Sequence, residues 1–194
     1  RVMKNVTGYD LCKAVAGSWG TLAVMTEVTM KVLPVAAETR TLLCVGLPDQ
    51  TAVDVMTLCL GTPFEVSGTV HLQAPLAAKL SDLDIARSGA AVTAIRVENF
   101  PSAARYRVGR LKDRLAAYSP ALELDNARSR AFWEEIRTLR AFAGSDRPLW
   151  RISTIPSRWI FSDSMRYPYS IALKCCHAYV MVSRNRQHNA MPKC

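Results

Sequence analysis

Two rhythms of apolar and polar positions run along this chain of 194 residues. Short runs rich in β-branched and apolar residues, at 40–47, 65–72, 90–97, 121–124 and 149–154, read as strands. Between them apolar residues recur at helical spacing. Asp49 is placed to cap a helix that turns Val53, Met56 and Leu60 inward. Pro101 opens a second helix with Ala104, Val108, Leu111 and Leu115 on one face and Arg105, Arg110, Lys112 and Arg114 mostly outward. Asp125 or Asn126 starts a third, with Phe132, Ile136 and Leu139 on one face. Strand, helix, strand, strand, helix, strand, then one more helix and strand, predicts a two-layer α+β domain of ferredoxin-like type over 38–157.

The flanks differ from this middle. In 1–37, Asp10 can cap a short helix carrying Leu11, Ala14 and Val15 and ended by Gly17. After the turn Gly17-Ser18-Trp19-Gly20, residues 21–33 read as a strand or hairpin, and Pro34 with Ala36-Ala37 marks a boundary. Residues 158–194 break the pattern. Trp159, Phe161, Tyr167 and Tyr169 stand isolated, and the apolar runs 171–173 and 179–182 lack bracketing caps. The stretch reads as an irregular tail, the second run being a candidate edge strand.

Composition sharpens this division. At 49% hydrophobic and 21% charged the chain can bury a sizeable core. It has no run of eighteen apolar residues, which excludes a transmembrane helix. It opens on Arg1 without a signal-peptide pattern, which suggests a piece of a longer protein. Of the formal net charge of +9, residues 158–194 hold +5, with six bases against Asp163. Cys175, Cys176 and Cys194 lie there too, and this basic, Cys-rich composition looks like translation in a shifted frame. Cys12, Cys44 and Cys59 sit singly in apolar stretches and read as buried hydrophobes. No spacing suits a disulfide framework or a zinc site, and the thiols point to a reducing, cytoplasmic compartment.

Candidate chemistry is concentrated near the start. The chain reads Lys4-Asn5-Val6-Thr7-Gly8-Tyr9-Asp10-Leu11, then Ala16-Gly17-Ser18-Trp19-Gly20-Thr21-Leu22-Ala23-Val24-Met25-Thr26-Glu27, then Met30-Lys31-Val32-Leu33-Pro34. Gly8, Gly17 and Gly20 permit dihedrals and close approach that a side chain would block. A glycine-bracketed turn beside a helix end presents backbone N–H groups suited to a carbonyl-rich ring or a phosphate, and Ser18 and Thr21 add hydroxyls. On the glycines alone a purely structural turn fits as well.

The whole string is more specific. It resembles the second half of the FAD-binding domain of the vanillyl-alcohol oxidase/PCMH-type flavoproteins, where G-Y-D-L and G-S-x-G-T-L-G-x-[IVL]-T-E precede a strand ending K-[VL]-x-P. K-N-V-x-G-Y-D, the G-S-W-G variant and Leu149-Trp150-Arg151-Ile152-Ser153 look like the FAD-binding subunits of bacterial glycolate oxidases. The likeness extends to about residue 157 and is strongest over 2–34. It implies an FAD-contacting segment with Gly8, Tyr9, Asp10, Gly17, Ser18, Gly20, Thr21, Leu22, Val24 and Glu27 at matching positions. Ala23 stands where such proteins commonly have glycine. It further implies that 1–37 is the C-terminal part of a PCMH-type domain and 38–157 a cap domain of the FAD-linked oxidase C-terminal type. The complete protein would oxidise glycolate to glyoxylate with a homologous flavoprotein subunit and an iron–sulfur subunit, with peripheral membrane association through that complex. Such proteins carry a further FAD subdomain before this point, so the chain alone is expected to be inactive.

Other residues carry quieter readings. His71, between Val70 and Leu72, reads as a strand-face residue rather than a base; Trp133 and Glu134-Glu135 fit a helix surface; Trp150 reads as core. The basic run from Arg105 to Arg114 reads as a solvated face. No nucleophile–base constellation or metal site is evident, so no catalytic residue is assigned and any redox chemistry belongs to the cofactor. A rival reading is a non-catalytic accessory or binding module that keeps the ferredoxin-like domain and binds no flavin. Nucleic acid is not expected as a partner, because strands 40–47, 65–72 and 90–97 offer no aromatic for base stacking.

Overall fold

A computed structural model of the chain describes residues 8–32, 34–143, 149–153, 170–175 and 177–183, the last three segments by backbone. The chain divides into two units, Arg1–Val35 and Ala36–Cys194.

In the first unit, Asp10 caps helix α1 (Leu11–Val15) through its carboxylate, which accepts from the Lys13 N–H at 3.4 Å. Gly17 at φ +82° stops the helix, as the sequence predicts. The strand or hairpin expected over 21–33 does not form: residues 21–32 have no regular secondary structure. An extended segment needs a neighbour to satisfy its backbone, and the described part of this unit supplies none.

The second unit follows the predicted order closely. Strand β1 (Glu38–Val45) leads to helix α2 (Asp49–Leu60) and strand β2 (Val66–Leu72). Two short helices, α3 (Ala74–Ala77) and α4 (Leu83–Ala86), which the periodicity does not reveal, precede β3 (Val92–Asn99). Helix α5 (Pro101–Leu115), strand β4 (Ala121–Leu124) and helix α6 (Asn126–Thr138) complete the ferredoxin-like set. β5 (Leu149–Ser153), β6 (Ser170–Cys175) and β7 (His177–Ser183) then extend the sheet.

The seven strands among the described residues form one sheet in the order β4-β1-β3-β2-β6-β7-β5. Every pairing is antiparallel, with Leu42 opposite Ile95 and Val70 opposite Ala94 at the centre. The run 179–182, read as a candidate edge strand, lies in β7, which is flanked by β6 and β5; the edges are β4 and β5. The stretch 158–194, read as an irregular tail, forms β6 and β7 where it is described; the rest of it, and its reading as a shifted frame, lie outside the described residues.

The domain is covered on both faces, so it has three layers where two were expected. Leu42, Cys44, Ile95 and Val97 on one face pack with Ala52, Val55 and Cys59 of α2 and Val108, Leu111 and Leu115 of α5. Leu43, Val70, Leu72, Val92 and Ala94 on the other meet Leu76 and Ala77 of α3, Ile85 of α4, and Phe132 and Ile136 of α6. Double coverage explains why Leu42, Leu43, Cys44 and Val45 of β1 form a continuous apolar run rather than an alternation. Arg128 ties two of the covering helices together: its guanidinium donates twice to Asp82, at 2.9 Å each, and once to Asp84 at 2.8 Å.

Two smaller expectations are corrected. Cys44 and Cys59 are buried free thiols, but Cys12 is exposed, because the short helix that carries it buries none of its residues. Trp133 is half-buried rather than on the helix surface; it stacks edge-on against Phe132 and donates its indole N–H to Thr41 Oγ1 at 2.9 Å. The side chain of Trp150 lies outside the described residues.

Candidate functional site

The ten positions singled out in the sequence fall into three groups. Gly8, Tyr9 and Asp10 lead into α1, and Asp10 also pairs with Lys13 Nζ at 2.9 Å. The Lys13 ammonium and N–H beside it hold the Asp10 carboxyl below its ordinary range. Gly17, Ser18, Gly20 and Thr21 come together in one turn, where the Thr21 N–H and hydroxyl both donate to the Ser18 carbonyl, at 3.0 and 2.6 Å. Leu22, Val24 and Glu27 follow in exposed, irregular chain.

The turn has an unusual backbone. Gly17 (φ +82°), Trp19 (φ +54°) and Gly20 (φ +78°) are all left-handed, which is costly for Trp19 and requires glycine in practice at the other two. A Cβ built on Gly17 or Gly20 would meet no atom within 4 Å, so these positions open onto free space. Tyr9, Trp19 and Val24 are each at least 90% exposed. Apolar side chains and glycine-bared backbone on one segment suit a planar heteroaromatic ring with carbonyl acceptors, and in this respect the residues present fit part of a flavin site.

A second arrangement was not visible in the sequence. His71 of β2 is fully buried; its Nδ1 lies 2.9 Å from Thr93 Oγ1 and its Nε2 3.1 Å from Asp49 Oδ1. Asp49 also accepts from Gln73 Nε2 at 3.2 Å, and His71, its strongest partner, lowers its pKa. Asp49 was expected to cap α2, but Pro48 occupies the cap position and Asp49 is the first helical residue, which frees its carboxylate to reach the sheet. An Asp–His–Thr series invites comparison with a nucleophile triad. Thr93 is fully buried, however, so no substrate can reach its hydroxyl, and the series joins α2 to β2 and β3. Only the strand register, with His71 opposite Thr93, brings these residues together.

Elsewhere the surface is ordinary. On α5, Arg107 pairs with Glu65 and Arg110 with Asp113, as befits a solvated basic face. Among the described residues no group of three or more His, Cys, Asp or Glu could hold a metal ion, and no helix is long and apolar enough to cross a membrane.

No protein-family model matches the chain. It is 64% identical over 33 residues to glycolate oxidase subunit GlcE of Escherichia coli K12, a match covering 17% of this chain and 9% of that protein. Among solved structures it is similar to an alkyldihydroxyacetonephosphate synthase, with a TM-score of 0.62 at 12% identity, over 95% of this chain and 44% of that one. It is similar also to 4-ethylphenol oxidase from Gulosibacter chungangensis (TM-score 0.54, 11% identity, 79% and 40%) and to p-cresol methylhydroxylase (0.52, 9%, 80% and 41%). The matches thus span less than half the length of each of these proteins. The chain thus shares its α+β fold with these three enzymes, and a short stretch of its sequence with a glycolate oxidase subunit.

Proposed function

We propose that this chain is part of an FAD-dependent oxidoreductase acting on a small 2-hydroxy acid, with glycolate as the substrate. The observation that carries the reading is the 64% identity over 33 residues to a glycolate oxidase subunit, joined to the flavoprotein fold. In this reading 1–37 is the C-terminal part of a PCMH-type domain and 38–157 is a cap domain of the FAD-linked oxidase C-terminal type. Gly17, Ser18, Gly20 and Thr21 hold the cofactor through backbone and hydroxyl groups, with Gly8, Tyr9, Asp10, Leu22, Val24 and Glu27 beside it. FAD, when bound, supplies the acceptor for the two electrons and hydrogens lost by the substrate. The chain's own part is to orient the ring and keep water from it. Catalysis requires the remaining half of the cofactor site, a homologous flavoprotein subunit and an iron–sulfur subunit, in the cytoplasm or at the membrane surface through that complex.

A visible absorption spectrum after incubation with FAD and desalting tests the reading. Flavin bands retained by the chain, and lost on Gly17→Val with Gly20→Val, support it. Retention unchanged in the double variant rules out the assigned turn. Glycolate-dependent dye reduction is expected only when the missing segment and partner subunits are supplied.

A further inference from the structure

Among the described residues, the face of the sheet covered by α6 carries a cation, Arg96, whose terminal nitrogens the packing leaves unused. Arg96 of β3 lies with its guanidinium carbon 4.7 Å from the centroid of the Trp133 ring. Its Nε donates to Ser67 Oγ at 3.0 Å, and that hydroxyl in turn donates to the Arg96 carbonyl at 3.3 Å, so the serine is oriented as an acceptor. Across the strand pair stands Gly68, where an added Cβ would come within 3.3 Å of one terminal guanidinium nitrogen. Indole on one side and bare backbone on the other thus fix the guanidinium in place. Glu98 Oε2 contacts Nε at 3.2 Å and balances the charge. Among the described residues no acceptor engages the two terminal nitrogens, and the side chain keeps 27% of its surface open.

We propose that Arg96, held on Trp133, is a binding site for a small monocarboxylate. The guanidinium fork matches two coplanar oxygens, and its rotamer entropy is already lost to the stack, so little further ordering is needed on binding. A single cation offset by Glu98 favours a monoanion over a dianionic phosphate. Glycolate as the natural occupant rests on the proposed oxidoreductase role; the binding itself rests on the geometry.

The test is titration of the full chain with sodium glycolate, followed through the indole N–H signals in a nitrogen-15 spectrum. Trp133→Phe identifies the relevant signal among the four tryptophans. Glycolate and acetate are expected to shift that signal saturably, and neutral glycolamide and inorganic phosphate to leave it in place. Arg96→Gln should weaken glycolate by about tenfold or more, as the loss of a charge-assisted bond predicts. Glu98→Gln removes the competing carboxylate and should tighten it by roughly severalfold, a gain no purely structural role produces and one that needs no destabilised variant. An equal response to glycolamide, a stronger response to phosphate, or unchanged affinity in Glu98→Gln overturns the site. Glycolate binding by a chain that retains no flavin keeps the site, whereas flavin retention without glycolate binding overturns the site and keeps the proposed cofactor segment.

Discussion

The Asp49 carboxylate and the His71 imidazole meet 3.1 Å apart, joining the first turn of α2 to a strand whose Val70 and Leu72 belong to the core on the other face. Asp49 retains contact with solvent, at 26% exposure, while His71 has none. The polar end of the series therefore faces water and its closed end sits in the sheet. Removing the acceptor strands a buried nitrogen. Asp49→Ala should cost about 1–3 kcal/mol in urea unfolding, and Asp49→Asn, which keeps an acceptor, distinctly less.

Acid should weaken the fold through the same group. Asp49 is held below its ordinary value of 3.8 by His71, and Asp82 likewise by Arg128. A carboxylate whose folded pKa is depressed contributes stability that is complete above the unfolded value and lost as pH falls through the folded one. Unfolding free energy should hold steady above about pH 5 and decline below 3.8. Asp49→Asn and Asp82→Asn should each flatten that decline, read from urea midpoints across the pH series.

Two glycines should respond in opposite directions. Gly109 lies in the middle of α5 with open space around an added Cβ, so Gly109→Ala should raise stability by about 0.5–1 kcal/mol. Gly20 has the same open space but a φ of +78°. Gly20→Ala should strain the turn by about 1–2 kcal/mol and displace the amide resonances of Ser18 and Thr21, leaving those of α5 unmoved.

Thiol labelling should separate the described cysteines by environment. Burial pushes the Cys44 thiol up to about 11 and that of Cys59 to about 12, so neither forms thiolate near neutrality. Cys12 is exposed. Peptide mapping after brief iodoacetamide treatment should find Cys12 modified first, and Cys44 and Cys59 modified only in denaturant.

Residues 38–143 of the second unit were largely legible because their signals are local, whereas β6 lay in a stretch read as irregular. Pro101 and the spacing of Ala104, Val108, Leu111 and Leu115 define α5 and its buried face, and Asp125 caps α6 as its position suggests. The short helices α3 and α4 escaped notice because four residues cannot display a period. Asp49 misled because a residue after proline can start a helix as well as cap it; the partner that decided the matter, His71, lies 22 positions away. Trp133 was read as surface because Thr41 and Arg96, which draw it inward, belong to other elements. In the candidate flavin segment Gly17 and Gly20 were readable and their left-handed dihedrals followed. The irregular course of 21–32 was not, since β-branched residues describe a preference for pairing and not the presence of a neighbour.

The ladder between β2 and β6 sets a schedule for synthesis. Thr69 pairs with Lys174 and Leu72 with Ile171, so the outer edge of β2 has no mate until nearly the whole second unit has left the ribosome. During that interval β1, β3 and β4 can assemble with β2 while one row of its backbone groups waits, open to any passing strand. Translation that stalls between α6 and β6 would release a chain whose sheet ends in an uncapped edge, and aggregation by strand addition is the fate that edge invites.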